Sequence, residues 1–508
     1  MDAAISRQEP SFASFGTLPL MAVSAGEKNR RRQTRACLPL SSASRARNGQ
    51  LPCGGISNFS MPLEPAFLGN NDSHGRPFYI GPEARRRHMS VFGTSGAGKS
   101  SMLCGMIASD ILAGHGVTVV DPHGQLIDEL LDCHIPKSRL RDVIYLKAAD
   151  ADRAMAINLL DTGRPEQHGL IVSNALSIFR TLYADSWGQR MDDIFRNTLF
   201  ALLEQPFPVS LIALPPLLTN ATFRAQFLSR VRNPMVLDFF HNTYDRWAPS
   251  FREEAISPVL NKVRPFLTDP LLRAIVGKSP SSFDFRWAMD TQKIILCDVS
   301  KGAIGNDNAK LLGSLIVMKE KLAAFSRVDI PEAERVPHLL YVEEAHNFIA
   351  DFESILAETR KYALTLTLAA QGIEQLPPKA AEAVFTNCAT LISFRVSAPD
   401  AGRLQEEMVP GRSEGFQMVG SRPVMLQDLA DYRAYVRTLV CDENGCEPSE
   451  PERIATVPPG PRRKRMARAE TVIRVSNERY TRPRSETEAK IAHFLQKRYR
   501  STGTNRSS

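Results

Sequence analysis

One stretch constrains the fold more than any other: Gly93, Thr94, Ser95, Gly96, Ala97, Gly98, Lys99 and Ser100. It matches the pattern G-x-x-x-x-G-K-[ST] at every fixed position. Glycines let successive backbone N–H groups point inward at phosphate oxygens, while the lysine reaches the β- and γ-phosphates and the serine hydroxyl holds Mg²⁺. We therefore expect this loop to bind a nucleoside triphosphate, with Ser100 among the metal ligands.

The segments on either side of the loop have the pattern of a βαβ unit. Residues 89–92 read as a short buried strand, and 117–120 form a second apolar strand. Between them, Leu103, Ile107 and Ile111 recur every four residues, which places them on one face of a helix. A helix that joins two such strands predicts a parallel sheet and an α/β fold.

Two adjacent carboxylates end a later apolar strand. Residues 338–342 are followed by Glu343 and Glu344, which is the form of a Walker B segment. In such segments one acid holds the Mg²⁺ hydration shell and the other orients or deprotonates the attacking water. The pattern alone leaves open which of Glu343 and Glu344 takes which task, and it places the amide of Gln371, at the end of the strand 364–368, where it can sense the γ-phosphate.

Three further polar positions leave alternatives open. Asp121 and His123 follow the strand 117–120, where they suit either a contact with the nucleotide or the next subunit, or a plain Asp-Pro turn. Arg395 lies on the last predicted strand of the sheet, 390–396, and fits either an exposed-edge charge or an interface contact.

The element pattern divides the chain into five segments. They are a disordered basic arm (1–60), the first part of an α/β domain (61–164), an all-helical insertion (165–282), the second part of the α/β domain (283–440), and a basic, mostly irregular tail with a short helix (441–508). The insertion is predicted because strands stop alternating with helices there and return after 282.

The charge is concentrated at the two ends of the chain. Residues 1–60 hold 8 Lys or Arg against 3 Asp or Glu, and residues 461–508 hold 14 against 4. Because the whole chain carries +8, the 400 residues between these ends carry −7. Basic arms of this kind meet nucleic acid or an acidic partner, or they are simply solvated tails.

The cysteines and the hydropathy pattern exclude other classes. The 8 cysteines include no C-x-x-C pair, which argues against a zinc site and predicts reduced thiols. No uninterrupted apolar run reaches the roughly 18 residues of a transmembrane helix. We expect a soluble, cytoplasmic protein.

Taken together, several stretches resemble one known family. They are GTSGAGKS (93–100), VVDPHGQLIDELLD (119–132), YVEEAHNF (341–348), ILAETRKYALTLTLAAQ (355–371) and VFTNCATLISFRV (384–396). Over residues 85–435 the chain resembles FtsK/HerA-type P-loop ATPases, most of all the type IV coupling proteins of conjugal transfer.

This resemblance implies a fold, a reaction and partners. The fold would be a RecA-like P-loop sheet with an inserted all-helical domain, assembled as a homo-hexamer with ATP and Mg²⁺ bound between subunits. Glu344 would be the catalytic acid, Glu343 would hold the Mg²⁺ shell, Gln371 would be the sensor, and Arg360 would be an arginine finger donated to the next subunit. Such proteins move DNA, single or double stranded, through the ring, and work with relaxosome or type IV secretion components.

Two departures from the family keep alternatives open. Glu343 stands where the family usually has Asp, and the N-terminal membrane helices of typical coupling proteins are missing. The chain would then be either free in the cytoplasm or held peripherally at the inner membrane by partners. A secretion ATPase for protein substrates and a weakly active nucleotide-binding scaffold with nucleic-acid-binding tails remain the alternative functions.

Overall fold

The computed structural model describes residues 63–161, 165–348, 352–408, 418–419, 422–423, 425–443, 445–459 and 468–500. The predicted arm 1–60 lies outside these residues. None of the helices in the described ranges combines the length and the apolar character that crossing a bilayer requires.

The strands of the described residues are numbered in chain order. They are β1 (Ala66–Asn71), β2 (Pro77–Ile80), β3 (Met89–Phe92), β4 (Gly116–Asp121), β5 (Val143–Lys147), β6 (Arg153–Ala154), β7 (Ile294–Asp298), β8 (His338–Val342), β9 (Leu364–Ala370), β10 (Thr390–Ser393), β11 (Met418–Val419), β12 (Arg422–Pro423), β13 (Arg433–Arg437), β14 (Leu439–Asp442), β15 (Gly445–Pro448), β16 (Glu452–Ala455) and β17 (Arg482–Pro483).

The α-helices of the described residues are numbered in the same way. They are α1 (Pro82–Arg85), α2 (Lys99–Ala113), α3 (Gln125–Cys133), α4 (His168–Leu182), α5 (Gln189–Leu203), α6 (Leu214–Thr219), α7 (Ala221–Leu228), α8 (Pro234–Asp238), α9 (Pro249–Thr268), α10 (Pro270–Val276), α11 (Phe285–Asp290), α12 (Lys301–Ile304), α13 (Asn306–Phe325), α14 (Phe352–Glu358), α15 (Pro378–Asn387), α16 (Ala398–Met408), α17 (Ala469–Tyr480) and α18 (Arg484–Arg500).

One large sheet organises the molecule. Within the described ranges it has 11 strands in the order β2-β1-β16-β13-β10-β3-β9-β8-β4-β7-β5. The strands from β10 to β5 are all parallel, whereas β13, β16, β1 and β2 are antiparallel to their neighbours. Every residue of the six strands β3, β4, β7, β8, β9 and β10 is buried, as expected for a parallel sheet covered on both faces. The predicted α/β fold class is confirmed.

Each face of the sheet has its own hydrophobic core. On one face, α2, α3 and α17 cover the strands. On the other face, α13 lies against the helices that follow β6, and a single cluster of buried side chains runs from β8 and β9 through α13 into α4, α5 and α9. All regular elements described between 165 and 282 are helical, and they share this continuous core with the sheet.

The predicted irregular tail, 441–508, is largely ordered where the structure describes it. β16 pairs with both β13 and β1 and so belongs to the main sheet. α17 packs against β5, with Val472 buried and the Ser476 hydroxyl accepting the Tyr145 backbone N–H at 2.8 Å. The sequence prediction failed because four-residue strands and their far-away partners leave almost no local periodicity.

The expectation of reduced thiols also fails at one place. Cys441 and Cys446 face each other across the antiparallel pair β14–β15 and are joined by a disulfide. The other cysteines in the described ranges, Cys104, Cys133, Cys297 and Cys388, form no disulfide.

Candidate active site

The P-loop connects β3 to α2 at the carboxyl edge of the parallel strands. Gly96 and Gly98 have φ angles of 79° and 117°, in the left-handed region that favours glycine. A Cβ at Gly98 would also lie 2.9 Å from the Tyr432 ring, so only glycine fits there. Tyr432 N–H donates to the Ala97 carbonyl at 2.9 Å, and Thr94 N–H to the Arg395 carbonyl at 2.7 Å. Loops from distant parts of the chain therefore hold the P-loop in place.

Lys99 folds back over this loop. Its ammonium donates to the carbonyl oxygens of Gly93 and Thr94, the latter at 3.1 Å. Burial lowers the pKa of Lys99, while the charges of Glu344 and Glu343 oppose that shift. A buried cation above a ring of backbone N–H groups is suited to binding an anion such as a phosphate.

Glu343 and Ser100 meet directly at the end of β8. The Ser100 hydroxyl donates to Glu343 Oε1, and Glu343 N–H donates to the Val120 carbonyl at 3.0 Å. Burial raises the pKa of Glu343 to about 7, and the charge of Asp121 adds to this rise, whereas the Ser100 hydrogen bond and Lys99 oppose it.

These two residues fit a Mg²⁺ ion. Hydroxyl and carboxylate oxygens are the hard ligands that Mg²⁺ takes, usually together with phosphate oxygens and waters. Burial and the neighbouring charge of Asp121 disfavour an ionised Glu343, and a divalent cation beside the carboxylate would offset both effects. Ser100 and Glu343 are therefore the residues that would hold the ion.

Glu344 lies beside Glu343 but turns toward β9. It has a φ of 50°, an uncommon backbone conformation for a residue with a side chain. The Gln371 amide donates to both of its carboxylate oxygens at 3.3 Å, and His346 Nε2 lies 3.6 Å from Oε2. Both glutamates are only 7% exposed. The site thus combines one acid that accepts the Ser100 hydroxyl and a second acid that is held by an amide.

Arg360 is not part of this site in its own chain. It lies in the 3₁₀ turn Thr359–Tyr362, immediately before β9, whereas Gln371 follows that strand. The seven residues of β9 span about 20 Å, so the two side chains belong to opposite edges of the sheet. Arg360 is exposed and, together with Arg87 and Arg437, lines a cavity of about 320 Å³.

The structure shows the contacts of two of the three polar positions that the sequence left open, Asp121 and Arg395. The Asp121 carboxylate accepts N–H groups from His123, Leu126 and Ile127 at 2.7, 3.0 and 3.3 Å, so it shapes the turn and caps α3. The Arg395 guanidinium forms an ion pair with Asp431 at 2.8 Å.

Sequence reasoning missed several charged residues around both edges. Lys301 and His346 are electrostatic neighbours of Glu344: burial lowers the pKa of each, and the Glu344 charge opposes the shift. His346 lies within the YVEEAHNF segment, so its nearness to the acids was the available signal. Arg87 ends the run Arg85-Arg86-Arg87 before β3, and only the fold brings it beside Arg360.

Comparison with known proteins gives one family match and a set of similar structures. The family model described as the central domain of the helicase HerA matches residues 66–142. The comparison with curated protein sequences found no match. Among solved structures, the bacterial conjugative coupling protein TrwBdeltaN70, in its sulphate-bound trigonal form, has a TM-score of 0.55 at 19% identity, covering 82% of this chain and 98% of that one.

The chain has the fold of the TrwB coupling protein. Two nucleotide complexes of TrwB show the same similarity. The complex with ADP and Mg²⁺ has a TM-score of 0.53 at 20% identity, covering 78% of this chain and 91% of that one. The complex with a non-hydrolysable ATP analogue has a TM-score of 0.52 at 19% identity, covering 78% and 90%. The predicted resemblance to HerA-type P-loop ATPases and to coupling proteins is confirmed by these matches.

Proposed function

We propose that this chain is a Mg²⁺-dependent ATPase that assembles as a ring and moves DNA, in the manner of the coupling proteins of conjugative transfer. One observation carries the catalytic half of the proposal. At one edge of the sheet, Ser100 contacts Glu343, and Gln371 holds Glu344. The DNA and ring half rests on the shared fold with TrwB, a protein named as a bacterial conjugative coupling protein.

Each side chain of the site has a defined task in this proposal. Lys99 exchanges the carbonyls of Gly93 and Thr94 for phosphate oxygens and offsets their charge as the γ-phosphate leaves. Glu344 orients the attacking water and accepts its proton, because Gln371 fixes the carboxylate from the side of β9. Ser100 and Glu343 would hold the Mg²⁺ ion, which would supply positive charge to neutralise the phosphates during hydrolysis.

The location of Arg360 motivates the ring. It lies at the opposite edge of the sheet from the P-loop of its own chain, so it acts only on a nucleotide held by another subunit. Arginine fingers supplied in this way contribute about 10³–10⁵ to the rate. Arg360 is exposed, as a residue that reaches into a neighbour has to be.

The test is a steady-state ATP hydrolysis assay on the purified chain without nucleic acid, with single-stranded DNA, with duplex DNA and with an unfolded protein. We expect Lys99→Ala to abolish turnover and Glu344→Gln to leave ATP bound but uncleaved. Glu374→Gln is the matched control, because Glu374 is exposed and lies just beyond Gln371 without contacting the site.

The outcomes separate the candidate functions. DNA-stimulated turnover that both site variants lose supports the proposal. Stimulation by unfolded protein alone would favour a secretion ATPase for protein substrates. Wild-type turnover no higher than that of Lys99→Ala under every condition would contradict an ATPase and favour a nucleotide-binding scaffold.

A further inference from the structure

Three potential metal ligands lie close together between α2, the helix that begins at the P-loop, and α3. Cys104 lies on α2, five residues after Lys99, and is buried. Glu129 lies on α3, and His134 follows the last residue of that helix. One ligand atom from each of the three lies within 4.8 Å of the other two, and the Cys104 thiol is hydrogen-bonded to the Glu129 side chain.

The chemistry of this trio differs from that of the nucleotide site. Sulfur, imidazole nitrogen and carboxylate oxygen together suit Zn²⁺ or a similar transition metal, whereas Mg²⁺ takes oxygen ligands. Zn–S and Zn–N bonds of about 2.3 and 2.0 Å in tetrahedral geometry place the two ligand atoms about 3.5 Å apart, and nitrogen and oxygen ligands about 3.3 Å apart. The trio therefore needs to close by about 1.5 Å at most, which rotation of the exposed Glu129 side chain and the half-buried His134 ring allows.

We propose that Cys104, Glu129 and His134 form a site for a divalent transition metal such as Zn²⁺, with a water molecule as the fourth ligand. The ion would add a covalent-like link between α2 and α3, two helices that already pack against each other in the core on one face of the sheet. Because Cys104 lies about 7.5 Å along α2 from Lys99, the metal stabilises the helix behind the P-loop without entering the nucleotide site. This proposal does not depend on the ATPase activity.

The test is a Co²⁺ titration of the reduced chain, prepared without a polyhistidine tag and without nucleotide. Co²⁺ bound to a thiolate gives a sulfur-to-metal charge-transfer band in the near ultraviolet, which oxygen ligands such as Ser100 and Glu343 cannot give. We expect one equivalent of Co²⁺ to produce this band and Zn²⁺ to remove it. Cys104→Ser should lose the band, and the nearby Cys133→Ser should keep it.

Two exposed or half-exposed positions keep the test decisive if the buried variant fails to fold. Glu129→Gln and His134→Ala should weaken Zn²⁺ binding by more than the roughly 10–100-fold that changes in outer-shell partners cost. Zn²⁺ should raise the thermal unfolding midpoint of the wild type and of Cys133→Ser, but not of these two variants. No charge-transfer band in the reduced wild type, a band lost in Cys133→Ser but kept in Cys104→Ser, or unchanged Zn²⁺ affinity in Glu129→Gln and His134→Ala would overturn the proposal.

Discussion

Glu343 and Glu344 are buried like the residues of β8 that precede them, but unlike those side chains they carry carboxyl groups. Glu343 replaces the aspartate that the family usually has, and its longer side chain touches the Ser100 hydroxyl directly. A metal ion between the two oxygens requires that contact to open. Because Glu343 is one methylene longer than aspartate, we expect its carboxylate to move away from Ser100 when Mg²⁺ and nucleotide bind.

This geometry leads to a prediction about metal dependence. Glu343→Gln should raise the Mg²⁺ concentration for half-maximal ATP hydrolysis at least tenfold, because a neutral amide binds the cation more weakly. Glu343→Asp should retain turnover, because the shorter carboxylate leaves room for the ion. Mg²⁺ titrations of the two variants beside the wild type provide the measurement. An unchanged Mg²⁺ requirement in Glu343→Gln would remove Glu343 from the metal site.

Another buried acid, Glu320, lies on α13, away from the proposed nucleotide site. The Thr118 hydroxyl donates to Glu320 Oε1 at 2.6 Å, and Oε2 has no hydrogen-bond partner. Burial raises the pKa of Glu320 to about 7, and burial lowers the pKa of His338 to about 3, so the 3.8 Å contact between these two is not an ion pair at neutral pH.

The raised pKa of Glu320 gives stability a specific pH dependence. Between the unfolded pKa of 4.5 and the folded pKa of about 7, the folded state binds more protons than the unfolded state, so stability is lost as pH rises through this window. Glu320→Gln should therefore leave the thermal unfolding midpoint nearly unchanged at pH 5 but raise it at pH 8. The corresponding gain in the free energy of unfolding at pH 8 is on the order of 3 kcal/mol. Thermal unfolding of both proteins at both pH values is the check, and a shift that is equal at pH 5 and pH 8 would contradict it.

At the scale of elements, the sequence revealed those whose residues carry their own periodicity or motif. β3, α2, β4, β8 and β9 have strong apolar patterns next to motif residues, so the sequence predicted both these elements and the clustering of Lys99, Ser100, Glu343 and Glu344 at one end of the sheet. β1, β13 and β16 could not be placed, because an antiparallel edge forms from short segments almost 400 residues apart. The distance of Arg360 from its own P-loop follows from the strand register, which no local pattern contains.

The docking of α17 gives a prediction for the part of the tail that was expected to be irregular. Val472→Asp places a charge in the core beneath α17 and should destabilise the fold by about 3 kcal/mol or more. The matched control is Val457→Asp, because Val457 is 56% exposed and such changes usually stay within about 0.5 kcal/mol. Unfolding midpoints of both variants are compared with the wild type. Equal midpoints would mean that α17 does not pack on the sheet.

At the scale of the whole molecule, the basic run 462–465, which we expect to attract DNA, contains none of the proposed catalytic residues. Replacing Arg462, Arg463, Lys464 and Arg465 by alanine removes four positive charges and leaves every proposed catalytic residue in place. The logarithm of the duplex-binding constant falls with the logarithm of the salt concentration, and each phosphate contact contributes about 0.9 to that slope. The steepness of the slope should therefore decrease by about 3 to 4 in this variant. Its ATP hydrolysis rate without DNA should be unchanged. Binding titrations at several salt concentrations measure the slope. A slope that stays the same would assign this basic run to a protein partner instead.

In the proposed ring one subunit completes the nucleotide site of the next, and rings assembled from two different variants test this arrangement. Arg360→Ala keeps an intact P-loop, and Lys99→Ala keeps an intact Arg360, so each variant alone should be inactive. In a random equimolar mixture about a quarter of the interfaces join one intact P-loop to one intact Arg360.

The measurement is the ATP hydrolysis rate of the mixture beside each variant alone, with mixed assembly confirmed by pull-down of differently tagged chains. We expect the mixture to hydrolyse ATP well above the rate of either variant alone, because an arginine finger contributes about 10³–10⁵ to the rate. Mixed rings that remain as inactive as the separate variants would contradict it and leave Arg360 with a structural role at the opposite edge of the sheet.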